Sequence, residues 1–252
     1  MVSRRPGGAN VPPFDSVADV RKYAIFSDDF VGNLGGTLDD TNAGISELGW
    51  VVTDIVGAGD SDLDIITTAA TVIGHPGVVS LNTGPTTPAA NDEAGLTLPG
   101  AVVLPTDGMI YAAAVVRFPS VAAIEFNFGF FDLSLAAQRD TDSICIELDV
   151  SAATNFVGAA TAGSSAVGAD VAETTVVAAA DTWYTLEVAA DASSAYFWVN
   201  GESLGTIAGT QTALPLYPGF KVTTETTAEK SVLIDVFGMR TPVSRLGYTG
   251  VG

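Results

Sequence analysis

Glu147 and Asp149 are the residues of this chain best spaced to do chemistry. They stand at alternate positions in Ser143-Ile144-Cys145-Ile146-Glu147-Leu148-Asp149-Val150, an apolar and β-branched run that predicts a buried strand. Alternate side chains of a strand share a face, so the two carboxyls would lie on one surface of a sheet. Paired carboxyls suit hydrolysis of a glycosidic bond, one giving a proton to the leaving oxygen while the other attacks or activates water. Ser151 and Ala152 follow, so the strand offers one glutamate and one aspartate and no further acid. The expectation is therefore a hydrogen-bonded polar spot on a sheet, with no catalytic residue, in a protein that is not an enzyme.

Other chemistries are weaker. His75 is the single histidine, and the Pro76-Gly77 beside it marks a turn, with no G-x-S-x-G elbow ahead of it. Gly57-Ala58-Gly59 lacks the lysine and the helix of a phosphate loop. The lone Cys145 excludes an internal disulfide, reads as a small buried hydrophobe, and with one histidine cannot build a structural zinc site. Asp60, Asp62 and Asp64 have a spacing that suits calcium, but Ile65-Ile66 begins a strand where an ion loop wants glycine. Asp28/Asp29 and Asp39/Asp40 read as loop acids. No cofactor is expected, calcium being the one metal weighed. Trp50, Trp183, Trp198, Tyr196 and Tyr217 would stack on sugar rings if exposed, and the core is their expected place. Trp183, Leu186 and Val188 do not share parity, however, so some aromatics must face outward or a bulge must intervene.

The elements that would position these residues are strands. Asp181 to Ile207 reads as a three-stranded meander, with Asp191-Ala192-Ser193-Ser194 as one turn and Asn200-Gly201 as the other. An Asn-Gly pair suits a type I′ hairpin, which needs positive φ at both central residues. Further strands are expected at 50–56, 64–68, 78–84, 101–104, 109–118, 125–133, 143–150, 219–222 and 231–239, with two small ones in 155–180. Phe126, Phe128 and Phe130 form an alternating core stripe. Phe14 to Tyr23 has apolar residues at helical spacing, which predicts a short helix. No helices alternate with the strands, so a parallel βαβ architecture is excluded. An all-β antiparallel jelly-roll sandwich is the natural solution. The chain divides into an extended N-terminal arm at 1–25, a sandwich domain at 26–240 and a tail at 241–252.

Charge separates the arm from the body. The formal net charge is −19. Residues 1–25 carry Arg4, Arg5, Arg21 and Lys22 against Asp15 and Asp19, a net of +2, whereas residues 26–240 carry 27 acids against five bases, a net of −22. Such a body repels nucleic acid and anionic membranes, so neither is an expected partner. The N-terminus has charge but no apolar signal-peptide core, and no run approaches the roughly 18 apolar residues of a membrane span. A protein kept soluble is expected, with the basic arm free to dock on an acidic surface.

The order of these pieces resembles a concanavalin A-like (laminin-G-like) jelly roll in the form carried by structural proteins of tailed bacteriophages. The matching pieces are Asp28-Asp29-Phe30, Trp50, the segment from His75 to Gly84 (HPGVVSLNTG), Phe128-Gly129-Phe130, the segment from Asp142 to Asp149 (DSICIELD), Asp181-Thr182-Trp183-Tyr184 and Phe197-Trp198-Val199-Asn200-Gly201. The resemblance spans about residues 26–240. It implies a non-enzymatic capsid decoration or auxiliary head protein, made in the host cytoplasm and attached to the virion through the major capsid protein or other virion proteins. Arg4, Arg5, Arg21 and Lys22 would be its partner-binding residues, and homo-oligomers, trimers at three-fold positions, would be its assembly state. A carbohydrate-binding receptor module of a tail or spike, reading host-surface glycans, is the alternative. Laminarinase-type glycoside hydrolases share the fold and carry E-x-D-x-(x)-E on one strand, of which only Glu147 and Asp149 are matched here.

Overall fold

The computed structural model describes residues 23–30, 38–39, 43–45, 49–56, 62–65, 77–84, 89–132, 142–149 and 154–242. Their strands, in chain order, are β1 (Tyr23–Asp28), β2 (Leu38–Asp39), β3 (Ala43–Ile45), β4 (Trp50–Val56), β5 (Asp62–Ile65), β6 (Val79–Asn82), β7 (Glu93–Thr97), β8 (Ile110–Arg117) and β9 (Ile124–Phe131). There follow β10 (Ser143–Asp149), β11 (Asn155–Ala162), β12 (Ser165–Ala166), β13 (Val171–Val177), β14 (Trp183–Asp191), β15 (Ser194–Val199), β16 (Glu202–Ala208), β17 (Tyr217–Thr224) and β18 (Ser231–Pro242). The only helical element among the described residues is a 3-10 turn at Pro105–Asp107.

These strands build two antiparallel sheets. Sheet I has the order β16-β15-β14-β8-β18-β6-β5-β2, with β1 also paired to β18. Sheet II has the order β12-β11-β10-β9-β17-β7-β4-β3, with β13 paired to β11. Neighbours such as β8 beside β14 and β18, or β17 between β7 and β9, are far apart in sequence, as jelly-roll crossovers require. The fold is an all-β jelly-roll sandwich.

The pleat decides what lies between the sheets. From sheet II, Phe126, Phe128, Phe130, Ile144, Ile146, Leu148, Phe220 and Val222 point inward and are buried. From sheet I, Val116, Leu186, Val188, Phe197, Ile234 and Phe237 meet them. Aromatic contacts lock the layers: Trp50 of sheet II meets Phe237 of sheet I edge-on at 4.8 Å, and Phe156 of sheet II lies 5.0 Å from Tyr184 of sheet I. Trp50 is fully buried, and its indole N–H donates to Asp28 at 3.0 Å, so the one polar atom of the ring is satisfied. The Asp28 carboxylate also accepts from the Phe30 backbone N–H at 2.9 Å. Asp28 is thus the last residue of β1 and a structural acceptor, where a loop acid was expected.

Several sequence expectations change here. Ala101–Leu104 is not a strand; only Val103 forms an isolated bridge, to Leu216, because Pro105 starts the 3-10 turn and the missing proline N–H ends any ladder. The strand β7 was not expected at all, because its inward Ala94 and Leu96 alternate with Glu93, Gly95 and Thr97 and leave only a faint apolar period. Tyr23 opens β1; the rest of the segment expected to be helical, 14–22, lies outside the described residues, as does the basic arm with Arg4, Arg5, Arg21 and Lys22. The Asn200-Gly201 hairpin has φ of 52° and 78°, as a type I′ turn demands.

Gly129 is sterically required. A Cβ there would collide with the Ile144 carbonyl oxygen and stand 2.7 Å from Cys145 Cα, both on the neighbouring strand β10. Gly129→Ala is expected to lower the unfolding free energy by about 1–3 kcal/mol in urea titration. Gly100→Ala, at a position with nothing within 4 Å, should change it by less than about 0.5 kcal/mol.

Candidate functional site on sheet II

While Ile144, Ile146 and Leu148 enter the core, Ser143, Cys145, Glu147 and Asp149 of the same strand point away from it, onto the outer face of sheet II. The register aligns them with side chains of three more strands. Asp149 is opposite Glu125 of β9, which is opposite Thr223 of β17, which is opposite Glu93 of β7. One step along, Glu147 is opposite Asn127, then Lys221, then Gly95. A third row runs Cys145, Gly129, Gly219, Thr97. Two polar rows thus lie beside a row nearly without side chains. Phe131 fills part of that space, packing on Cys145 and Ala159.

Four carboxyls, Glu93, Glu125, Glu147 and Asp149, therefore share a surface with one ammonium. Lys221 is 1% exposed and pairs with Glu93 at 2.8 Å. A buried lysine without an acid partner would cost several kcal/mol, so the surrounding carboxylates are what permits it. Glu147 is also buried, while Glu125, Asp149 and Glu93 are half-buried and form the reachable rim. Asn127 is fully buried; its Oδ1 accepts from the Cys145 thiol at 3.7 Å, which places the amide on this outer side, and its Nδ2 has no partner. The Thr223 hydroxyl, equally buried, has none either. Each unpartnered buried group costs about 1–3 kcal/mol, so two together mark a surface not built for stability alone.

Burial raises the Glu125 carboxyl from 4.5 to about 7; the Glu147 carboxylate pushes the same way, Lys221 opposes, and Asp149 and Glu93 add smaller increases. Glu125 is thus largely protonated at mildly acidic pH and half-protonated near neutrality. The half-buried rim can accept hydrogen bonds at its carboxylates and hold a transferable proton at Glu125, above a buried amide and ammonium.

The other sequence candidates fall elsewhere. Of the aromatics, only Trp50 is core. Trp183 lies partly buried on the outer face of sheet I, with the Arg117 guanidinium 6.0 Å from its ring centre. Trp198, on that same face, packs with Tyr111 and Ala189 and stacks on Tyr196 at 6.2 Å. The alternation in β14 and β15 sends Leu186, Val188 and Phe197 inward, so Trp183 and Trp198 must turn outward, a correction to their expected core placement. Below Trp198, the Tyr111 hydroxyl donates to Glu187 at 2.6 Å. Tyr217 is half-buried at the end of β17. Cys145 is buried as expected, though on the outer side of the sheet. Asp62 and Asp64 lie in β5 opposite Asn82 and Ser80 of β6, and Asp60, His75, Ser151 and Ala152 lie outside the described residues. Among the described residues, no three His, Cys, Asp or Glu side chains gather to hold a metal ion. The sequence reading missed Glu93, Glu125, Asn127 and Lys221. Glu125 and Asn127 flank the aromatic stripe at its odd positions, and that parity was the available signal.

No family model matches the chain, and no curated protein does. Solved structures share its fold. A protein of unknown function from Shewanella oneidensis MR-1 aligns over 92% of this chain and 97% of its own, with TM-score 0.52 and 16% identity. A β-1,3-1,4-glucanase (lichenase) derived from a mouse hindgut metagenome aligns over 87% and 99%, with TM-score 0.57 and 13% identity. A non-specific endo-β-1,3(4)-glucanase of family GH16 aligns over 87% and 91%, with TM-score 0.55 and 11% identity. The chain is thus a concanavalin A-like jelly roll, of the architecture that these carbohydrate-active proteins use. The expectation that it is not an enzyme is corrected. The solved structures that share the fold include glucanases aligned over almost their whole length.

Because Glu125 holds its proton more tightly folded than unfolded, its contribution to stability is full below about pH 4.5 and is lost as pH rises to about 7. Thermal melts across that window should show Tm falling through the Glu125 titration. Glu125→Gln, which cannot ionise, should flatten this part of the profile, and an unchanged slope would count against the assignment.

Proposed function

We propose that the protein binds uncharged glycans on the outer face of sheet II. The observation that supports this best is the reachable rim of half-buried carboxyls, Glu93, Glu125 and Asp149, that the register brings onto one outer face. Sugar hydroxyls both donate and accept. Carboxylates at Glu125, Asp149 and Glu93 would accept from sugar hydroxyls at the rim, and the protonated Glu125 would donate to them. Four carboxyls against one ammonium disfavour uronic or sialic acids, so the charge of the surface selects neutral sugars. A receptor-type module that reads cell-surface glycans fits this chemistry.

A second reading, attachment to a virus particle, is favoured by the charge asymmetry between the arm and the body. Arg4, Arg5, Arg21 and Lys22 would dock the chain, as homo-oligomers, on an acidic surface of virion proteins, leaving sheet II outward. The two readings are compatible, since a module that reads host glycans must be carried on something.

Affinity electrophoresis of the full chain through gels containing neutral polysaccharides should retard it, while gels with uronic-acid polymers should not. Asp149→Ala should weaken the retardation constant about tenfold, the worth of one hydrogen bond to a well-ordered ligand. Equal mobility in every gel would sink the glycan reading. For the second reading, removal of residues 1–22, which leaves β1 whole, should abolish co-sedimentation with particles, and normal incorporation would exclude the arm as the anchor.

A further inference from the structure

The centre of sheet II holds an amine and an amide side by side, both shut off from water. Lys221 of β17 and Asn127 of β9 are direct cross-strand partners on the outer face. Directly opposed side chains have Cβ atoms about 4.5–5.5 Å apart, and the flexible lysine stem spans that distance with room to spare. Lys221 is 1% exposed and Asn127 is fully buried, so neither can serve a ligand on the rim above. Stability does not account for them either. An ammonium is costly to bury, and the amide leaves its Nδ2 without a partner. On the far side of Asn127 the same row ends in Glu147, so acid, amide and amine follow one another across three strands.

We propose that Lys221 and Asn127 join covalently, the lysine Nζ bonding to the asparagine Cγ with loss of ammonia, so that an isopeptide amide ties β9 to β17. The proposal stands independently of the glycan reading. The Lys221 ammonium lies 2.8 Å from Glu93, gives that carboxylate one proton and becomes a nucleophilic amine. In this structure Nζ leans toward β7, over Gly95, which has no side chain to confine it. Once neutral, the amine has no ion pair to hold it there and swings to Asn127. Nζ bonds to Cγ as the carbonyl electrons move onto Oδ1. That oxygen accepts from the Cys145 thiol at 3.7 Å, a donor placed where negative charge gathers. Glu125 gives its proton to Nδ2, the Cγ–Nδ2 bond breaks, and the Glu125 carboxylate takes the surplus proton from Nζ. The ammonia leaves as ammonium with the proton held by Glu93. One carbon–nitrogen bond forms and one breaks, both glutamates end as they began, and nothing is oxidised or reduced.

The surroundings assign the roles. Glu125 stands two residues before Asn127 in β9, so the strand period puts both on one face. Burial, first, and the neighbouring carboxylates of Glu147, Asp149 and Glu93 keep a proton on it to about pH 7 against the opposing pull of Lys221. It is therefore supplied with the proton that the leaving nitrogen needs. Glu93 is the acid that touches the amine, so it is the group that removes the first proton. The register holds amine and amide together in the folded sheet alone, which turns a reaction between two distant chain segments into one between neighbours. Linkage also removes the ammonium from among the four carboxyls and locks two central strands directly beneath the rim.

Mass spectrometry of the purified, denatured full chain tests this. The wild type should be lighter than its sequence by one ammonia. A digest should contain a branched peptide that joins the segment of Asn127 to that of Lys221, with no trypsin cut after Lys221. Asn200-Gly201 can also shed ammonia, by closing to a cyclic imide, so the branched peptide is the deciding species. Lys221→Arg should show no branch. Glu125→Gln should form the link at least about 100-fold more slowly, leaving most of a freshly made chain unbranched. A fully linked Glu125→Gln chain would overturn that glutamate as the proton donor. A wild type in which the two segments appear only as separate peptides, with trypsin cutting after Lys221, would overturn the proposal, and this readout needs no variant to fold. Retardation by neutral polysaccharides is measured separately, so either idea can fail without the other.

Discussion

The two-residue period of the strand is the constraint on which the rest of this molecule depends. In β9 it sends Phe126, Phe128 and Phe130 into the sandwich and Glu125 and Asn127 out of it. In β10 it does the same for Ile144, Ile146 and Leu148 against Cys145, Glu147 and Asp149. A slip of one residue would bury the carboxyls among phenylalanines and expose the core, so the hydrophobic effect holds the register and the register holds the polar surface. The site is, in this sense, a by-product of core packing: the same interdigitated rings that join the sheets fix the carboxyl positions to within a residue.

A second consequence is electrostatic. Lys221 is among the largest side chains buried almost completely, an arrangement that proteins avoid unless acids surround the ammonium. Here those acids come from three strands. The lysine in turn reduces, but does not cancel, the mutual repulsion of four carboxyls in a poorly hydrated place. Glu125, half-buried and faced by three other carboxyls, responds by keeping its proton, mainly because burial penalises its charged form. Donor, acceptor and transferable proton therefore arise from one packing problem.

The two outer faces of the sandwich differ. Sheet I carries one aromatic group, Tyr111, Tyr196 and Trp198, with Glu187 tied to Tyr111, and a separate contact of Trp183 with Arg117. Sheet II carries the acids, and it is there that an amide and a hydroxyl are left unpaired.

Much of the fold was legible from local pattern. Asn200-Gly201, the alternation of Phe126, Phe128 and Phe130 and the turn residues between short apolar runs sufficed for an all-β antiparallel sandwich, because a hairpin and a half-buried strand are written in neighbouring residues. Of the site, only Glu147 and Asp149 were readable, since they share a strand. Glu93 sits on a strand too weakly patterned to notice, and Lys221 lies some 70 residues beyond Glu147 in the chain. The linear reading looked for acids only along β10, whereas the register sets Glu125 of β9 opposite Asp149. The amino-acid sequence by itself determined which residues face in and which face out, a consequence of side-chain period and turn chemistry. Only the tertiary structure decided which outward residues meet, because hydrogen-bond register between strands distant in sequence is set by how two whole sheets bury their inner faces.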